Sequence, residues 1–202
     1  MELILIRHLK TPGNEKRQYI GSTDEELSEQ EVLNFKQRYK IDSYPQVQQV
    51  IVSPMKRCIQ MAELIYPKNL ITQEVLLKEC DFGIFEGLTY KQLKGKYPQE
   101  LEQWNKEFST YRIPEGESFL DVRRRVEAFL KDIPSGEENK SEKMLITAHK
   151  GTLGHLLAAM LKLPPEGYWN FVFDQGCYSE VDLEDGYAII RKLNVRDIPR
   201  DI

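Results

Sequence analysis

Residues 2–14 read ELILIRHLKTPGN, and this stretch decides which fold the rest of the chain can adopt. Its first part, Glu2–Ile6, is a short run of Leu and β-branched residues, which is typical of a buried strand. Two further runs, Gln49–Val52 and Met144–Thr147, have the same character. Charged or titratable side chains follow each run, so we expect buried strands that end in chemically active loops.

Helical patterns follow these runs. Apolar residues recur at helical spacing in Arg57–Tyr66, Glu117–Ile133 and Thr152–Leu163. This alternation predicts an α/β domain with a mostly parallel central sheet. Later in the chain, Tyr178–Leu183 and Tyr187–Val195 flank a Glu-Asp-Gly turn and predict a hairpin at one edge of the sheet. Ligands bind beyond the carboxyl ends of the strands in such sheets, so the loops after the three runs are expected to share one site.

Length and composition limit the possible functions. The chain has 202 residues and a formal net charge of -4. This length predicts a single domain over residues 1–202, with the polar segment Pro134–Lys143 as a surface connection inside it. The negative charge argues against a nucleic-acid partner, because such proteins need a basic face. Three cysteines without a CxxC pair are expected to be free thiols.

Targeting and membrane segments are not recognisable in the sequence. The beginning MELILIRH lacks a basic region before a long apolar run, so it does not resemble a signal peptide. The apolar segment Leu153–Leu163 is too short to cross a bilayer. We therefore expect a cytoplasmic protein with no membrane partner, and the sequence is compatible with a homodimer.

Two arginines and two histidines follow the predicted strands. Arg7 and His8 come directly after the first run, Arg57 follows the second, and His149 follows the third. Buried arginines need anionic partners, and a phosphate group matches the guanidinium fork. The helix that begins near Thr152 can add backbone N–H groups. The sequence therefore predicts a site for a small phosphorylated metabolite.

His8 is suited to act as a nucleophile in this site. Nearby positive charge favours the neutral imidazole, whose ring nitrogen has a lone pair that can attack phosphorus. The leaving alkoxide then needs a proton, and Glu79 in LLKECDFGIFEGLT is the candidate general acid. Glu86 in the same segment is the rival acid, although we interpret it as a residue that fixes the loop.

Six segments in order resemble the motifs of the histidine phosphatase superfamily, the phosphoglycerate mutase-like proteins. They are LIRHLKTPGN, YIGSTDEELSEQ, SPMKRCIQMAELI, LLKECDFGIFEGLT, PEGESFLDVRRRVEAFL and ITAHKGTLGHLL. Each motif alone is weak, but six in the same order make a strong signal. The resemblance implies a three-layer α/β/α sandwich.

The resemblance also implies a role for each matching residue. His8 would become phosphohistidine, and Glu79 would donate the proton. The residues that would hold the transferring phosphoryl group are Arg7, Asn14, Arg57 and the catalytic His149. The family needs no metal ion, so no metal site and no cofactor are expected.

Three residues depart from the family pattern. Leu9 replaces the glycine after the histidine and is expected to narrow the space near the nucleophile. Lys10 replaces an acidic residue, and Lys150 replaces the glycine that often follows the second histidine. If either lysine faces the pocket, it favours a substrate with more than one negative charge.

Several residues have an ordinary structural interpretation. His155 is interpreted as a packing residue. The run Arg123–Arg125 is interpreted as a solvated helix face, with contact to Glu115 or Glu117 as the alternative. Three aromatic residues are assigned to packing, with a substrate cap as the alternative: Trp104, Phe108 and Tyr111.

The leading hypothesis for function is a phosphomonoesterase that uses water as the final acceptor. The chain is short between His8 and Arg57 and between Glu79 and His149, whereas mutases of the family usually carry longer insertions. A phosphoglycerate mutase is the second hypothesis, and a non-catalytic phospho-ligand binding protein is the third. A metallohydrolase is weakly supported, because the histidines lack metal-ligand spacing.

Overall fold

A six-stranded sheet forms the centre of the computed structural model, which describes residues 1–38, 44–133, 142–184 and 186–196. The strands are β1 (Glu2–Arg7), β2 (Gln49–Val52), β3 (Ile71–Gln73), β4 (Lys143–Ala148), β5 (Tyr178–Glu184) and β6 (Tyr187–Val195). Their order across the sheet is β3-β2-β4-β1-β5-β6. The four strands from β3 to β1 are parallel to one another, whereas β5 is antiparallel to both of its neighbours, β1 and β6.

The three apolar runs are adjacent strands, as the sequence predicts. Thr147 of β4 is level with Ile6 of β1 and with Val52 of β2. The three strands therefore end at the same height. The loops that follow them meet at one edge of the sheet.

Helices connect and cover the strands. They are α1 (Pro12–Glu15), α2 (Glu29–Arg38), α3 (Lys56–Glu63), α4 (Tyr90–Lys96), α5 (Pro98–Lys106), α6 (Phe119–Asp132) and α7 (Lys150–Met160). Short 3-10 helices lie at Lys68–Leu70, Val75–Leu77, Gly83–Phe85 and Pro165–Asn170. The three helical patterns in the sequence correspond to α3, α6 and α7, with boundaries shifted by one to three residues.

The strand β1 shows why the structure has three layers. Its side chains alternate, as period-two geometry requires. Leu3 and Leu5 pack on one face of the sheet with Leu156 of α7, whereas Ile4 and Ile6 pack on the other face with Met61 of α3. The α/β/α sandwich with a mostly parallel central sheet is thus confirmed.

A third apolar cluster lies apart from the two faces of the sheet. It contains Phe85, Trp104 of α5 and Phe119 of α6, all of them buried. The sequence pattern indicates apolar residues in this region without showing that they form a separate cluster. Two of these aromatic side chains, Trp104 and Phe119, form part of a cavity wall described below.

The late hairpin is confirmed as β5 and β6 at the sheet edge, although Asp185 of its turn lies outside the described residues. The predicted surface connection Pro134–Lys143 lies largely outside them too. The strand β3 was not predicted, because it has only three residues and two of them are exposed.

The interpretation of Arg123–Arg125 as a solvated face is wrong for two of its three residues. Arg124 is exposed, but the Arg123 side chain is only 8% exposed. Its guanidinium donates to Glu127 (2.6 Å) and to the Leu163 carbonyl (2.9 Å). Arg125 is also largely buried. The pattern failed because long side chains beside an apolar stripe can fold back onto neighbouring carbonyl groups.

Within the part of the chain that the structure describes, no helix has both the length and the apolar character needed to cross a membrane.

The packing of α7 on the sheet generates the first prediction. Leu156→Ala removes a fully buried side chain from the core, and it should lower the free energy of unfolding by about 2–5 kcal/mol. Leu193→Ala, at a position 44% exposed on β6, should change it by less than about 1 kcal/mol. Urea denaturation measures both, and equal losses would contradict the assigned core.

Candidate active site

A cavity of about 550 Å³ opens at the carboxyl edge of the sheet. Polar wall residues include Arg7 at the end of β1, Asn14 in α1, Glu79, and Lys150 with Gly151 at the start of α7. Much of the remaining wall is aromatic and includes Tyr19, Phe82, Trp104, Phe108, Tyr168 and Trp169. The cavity therefore combines a polar group suited to phosphate with a large apolar surface.

His8 directly follows Arg7, which lines this cavity, and His8 itself is 4% exposed. Its Nδ1 is 2.6 Å from the carbonyl oxygen of Leu9. A carbonyl oxygen only accepts hydrogen bonds, so Nδ1 carries the proton and donates it. In the neutral ring, the lone pair is therefore on Nε2.

The charge state of His8 follows from its surroundings. Burial, followed by the positive charges of Arg57 and Arg7, holds the pKa of His8 well below its usual range. The imidazole is consequently neutral at physiological pH. This agrees with the expectation that the arginines keep the ring unprotonated.

Arg57, in the first turn of α3, is almost completely buried. Its Nη1 donates to the Thr23 carbonyl (2.8 Å), its Nη2 to the Gly21 carbonyl (2.7 Å), and its Nε to Nδ1 of His149 (3.2 Å). A buried guanidinium needs such acceptors when no anion is bound. The side chain is thus fixed between a loop and the second histidine.

His149, the residue before α7, is fully buried. Its Nδ1 accepts from Arg57, so its Nε2 carries the proton and donates to Ser53 Oγ (2.8 Å). Its ring centroid lies 5.1 Å from that of His8. Burial, followed by Arg57 and His8, holds the pKa of His149 well below its usual range.

Arg7 presents donors to the cavity. Its Nη1 donates to the Phe173 carbonyl (2.9 Å). Its Nε is buried and makes no hydrogen bond within the described residues. An unpaired buried donor on a cation is unfavourable, so Arg7 is ready to accept an anionic partner.

Asn14 is oriented by the short helix α1. Its Oδ1 accepts from the backbone N–H of Thr11, while the Thr11 hydroxyl accepts from the Asn14 N–H, which forms a capping box. The Gln175 amide donates to the same Oδ1 at 3.4 Å. Since Oδ1 is engaged, the Nδ2 amino group is the part of Asn14 suited to contact a ligand.

Glu79 lies against the N-terminus of α7. Its Oε2 accepts from the Gly151 N–H (3.1 Å), and its Oε1 accepts from the Cys80 N–H (3.1 Å) and the Thr152 hydroxyl (3.3 Å). A carboxylate is favoured at this end of a helix dipole. These contacts fix the carboxyl group at the cavity wall.

Arg125 holds the segment that carries Glu79, a role that the sequence did not reveal. It donates to the carbonyl groups of Leu76 (2.7 Å), Lys78 (3.0 Å) and Glu79 (3.3 Å). It also pairs with Glu117 at 2.9 Å, which agrees with the alternative contact considered for the arginine run. No local signal distinguishes Arg125 from its two neighbours, because these contacts join residues far apart in sequence.

Glu86 holds a second loop, as the sequence analysis indicates. Its carboxylate accepts from the backbone N–H groups of Gly21 and Ser22 at 2.9 Å. A Cβ at Gly21 would lie 1.7 Å from the Cys80 carbonyl oxygen, so only glycine allows the loop to approach this closely. The same loop supplies the carbonyl groups that bind Arg57.

The six candidate residues thus form two groups, one that lines the cavity and one that is buried. Arg7, Asn14 and Glu79 line the cavity. The other three, His8, Arg57 and His149, lie close together and are almost fully buried. Their positions are established, whereas their chemical roles stay predictions.

The three residues that depart from the family pattern lie in different surroundings. Leu9 is 4% exposed and packs in the core with Phe35, and it is not among the residues that line the cavity with Glu79. Lys10 pairs with Glu31 at 3.2 Å outside the cavity. Lys150 is exposed and lines the cavity.

The aromatic residues divide between wall and packing. Trp104 and Phe108 line the cavity, whereas Tyr111 packs beside the third cluster without lining it. His155 is fully buried on α7, and its ring stacks on Tyr168 at 4.4 Å. His155 is a packing residue, as its sequence position predicts.

The chain belongs to the histidine phosphatase superfamily (branch 1), whose family model matches residues 3–196. The adenosylcobalamin/alpha-ribazole phosphatase of Salmonella typhimurium is 28% identical over 99% of both chains. Phosphoserine phosphatase 1 of Hydrogenobacter thermophilus is 28% identical, over 96% of this chain and 92% of that protein. The crystal structure of the alpha-ribazole phosphatase from Shigella flexneri is similar over 100% of both chains, with a TM-score of 0.87 and 26% identity.

Among the residues that the structure describes, no group of three or more His, Cys, Asp or Glu side chains is arranged to hold a metal ion.

His155 generates a prediction for stability against pH. Burial, with Arg123 second, lowers its pKa to about 4, and neither ring nitrogen has a hydrogen-bond partner within the described residues. Above pH about 6.5 the ring is neutral in both the folded and the unfolded chain, so it adds no pH dependence. As the pH falls towards 4, only the unfolded chain takes up the proton, which lowers the free energy of unfolding by up to about 3 kcal/mol.

His155→Leu should remove this contribution. Urea denaturation of the two proteins between pH about 7 and about 4 should give a shallower decline for the variant. Parallel declines would show that His155 protonates equally in both states.

Proposed function

We propose that the chain hydrolyses phosphomonoesters through a phosphohistidine intermediate on His8. The observation that carries this proposal is the environment of the His8 ring. The Nδ1 of this ring donates a hydrogen bond to the Leu9 carbonyl, and burial, followed by the two arginines, lowers the pKa of His8. A neutral ring with the lone pair on Nε2 is the form that can attack phosphorus.

In the first step, Nε2 of His8 forms a bond to phosphorus as the bond from phosphorus to the ester oxygen breaks. Glu79 transfers its proton to the leaving oxygen, which departs as a neutral alcohol. The guanidinium group of Arg7 and the Nδ2 group of Asn14 contact the phosphoryl oxygens from the cavity wall. Positive charge near these oxygens stabilises the transition state.

Arg57 and His149 act from beneath the phosphoryl group. A bound dianion competes with the loop carbonyl groups for the Arg57 guanidinium, since charge-assisted hydrogen bonds are stronger than neutral ones. The N-terminus of α7 adds its dipole to the same region.

In the second step, water attacks the phosphohistidine. The Glu79 carboxylate, left without its proton after the first step, takes one proton from this water. The bond between phosphorus and Nε2 breaks, inorganic phosphate leaves, and His8 returns to its neutral form. The cycle consumes one water and restores both residues.

For the substrate, we propose α-ribazole 5′-phosphate, with other small phosphomonoesters as alternatives. The short chain and the segment GSTDEELS look most like α-ribazole phosphatases. The relatives from Salmonella typhimurium and Shigella flexneri support this choice. The aromatic cavity wall also suits a planar base, since aromatic groups pack well on each other.

The alternatives can be separated by product analysis. With 3-phosphoglycerate and its bisphosphate, a hydrolase releases inorganic phosphate, whereas a mutase isomerises faster than it releases phosphate. The non-catalytic alternative was motivated by Leu9 and Lys10, and both side chains lie outside the cavity that Glu79 lines. We favour hydrolysis.

The proposal extends to the domain organisation and to metal ions. We propose that residues 1–202 form one domain and that turnover needs no metal ion. A metallohydrolase would instead lose its activity to a chelator and regain it with a divalent ion.

His8→Ala should abolish turnover, because it removes the ring nitrogen that accepts the phosphoryl group. Rapid quenching with a radiolabelled phosphomonoester should trap an acid-labile phosphoprotein in the wild type and none in the variant. Thermal unfolding of both proteins serves as the control for folding. A labelled His8→Ala protein would refute the assigned nucleophile.

Glu79→Gln should slow substrates with poor leaving groups far more than aryl phosphates, because an aryl oxide departs with little protonation. The kcat values for an alkyl phosphate and for p-nitrophenyl phosphate measure the difference. Glu86→Gln is the matched control, since that carboxylate holds a loop and should affect both substrates alike. An equal loss for both substrates in Glu79→Gln would argue against the acid role.

A further inference from the structure

Tyr168 lies in the 3-10 helix Pro165–Asn170 and lines the cavity, and the mechanism above gives it no role. Its side chain is 6% exposed. Its hydroxyl group makes no hydrogen bond to any residue that the structure describes. A nearly buried phenol normally has a hydrogen-bond partner, so this hydroxyl is available for a ligand in the cavity.

The ring of Tyr168 is held by packing alone. A Cβ at Gly154 of α7 would lie 3.2 Å from the Tyr168 carbonyl oxygen and 3.3 Å from its Cδ2, so glycine lets the turn rest on the helix. His155 stacks on the ring with centroids 4.4 Å apart, and Phe119 lies at 5.4 Å. The position of the hydroxyl is thus fixed before any ligand arrives.

The surroundings of the hydroxyl show which part of the cavity it faces. Burial is the first cause that raises the pKa of Tyr168, and the acidic groups of Glu79, Cys80 and Tyr19 follow. Glu79 and Tyr19 are cavity wall residues. The phenol therefore stays protonated as a hydrogen-bond donor. Tyr168 rests on Gly154, and the Gly151 N–H that binds Glu79 lies three residues earlier on the same helix, so both residues contact the same face of α7.

We propose that Tyr168 is a specificity-determining residue whose hydroxyl donates a hydrogen bond to the alcohol portion of the substrate, beside the ester oxygen that Glu79 protonates. The substrate class that it selects is a phosphomonoester with an acceptor oxygen close to the ester, as in a sugar-like alcohol. This inference rests on the proposed function, because it needs a bound phosphomonoester.

Two model substrates isolate this contact. Tetrahydrofurfuryl phosphate has a ring ether oxygen near the ester, and cyclopentylmethyl phosphate has the same shape without that acceptor. Tyr168→Phe keeps the ring and its packing but removes the hydroxyl. It should lower kcat/KM for the ether substrate by about three- to tenfold, the range for one neutral hydrogen bond, and by less than about twofold for the carbocyclic one.

Tyr187→Phe is the matched control, because Tyr187 is 69% exposed on β6, away from the cavity. It should leave kcat/KM unchanged for both substrates. Equal loss for both substrates in Tyr168→Phe would reduce the residue to a packing role and overturn the inference, as would no loss for either. The proposed function would survive both of those results, whereas wild-type protein that hydrolyses neither ester would overturn the function and the inference together.

Discussion

The hydrogen bond from His8 Nδ1 to the Leu9 carbonyl is the interaction on which the site depends. This hydrogen bond places the proton on Nδ1, so the lone pair of the neutral ring is on Nε2. Burial and two guanidinium groups then keep that nitrogen unprotonated. In the proposed mechanism, the arginines that bind the anionic substrate thus also keep the nucleophile reactive.

The sheet and two loops provide the framework for this arrangement. Parallel pairing of β1, β4 and β2 brings His8, His149 and the loop before Arg57 to one edge. Glu86 binds the backbone of the loop at Gly21, and that loop binds Arg57 through its carbonyl groups. The buried cation is therefore positioned by neutral acceptors, which can give way to a stronger anionic partner.

The sequence was sufficient for the elements that local pattern determines. Three apolar runs predicted the adjacent strands, and strand-end chemistry predicted where Arg7, His8 and His149 meet. The sequence pattern was insufficient where contacts between residues far apart in the chain determine the position of a side chain. Arg123 is buried because it donates to a carbonyl group far away in sequence. Arg125 likewise donates hydrogen bonds to distant carbonyl groups in the segment that carries Glu79. The side chain of Leu9 turned into the core for a similar reason, since its neighbour Phe35 lies on α2.

Nitrogen NMR of isotopically labelled histidine tests the central claim most directly, because it reports which ring nitrogen of His8 carries the proton. We expect His8 at pH about 7 to show a protonated Nδ1 and an unprotonated Nε2, and to keep this form as the pH falls below about 6, where an ordinary histidine becomes charged. A doubly protonated His8 ring near neutral pH, or a proton on Nε2 alone, would contradict the account.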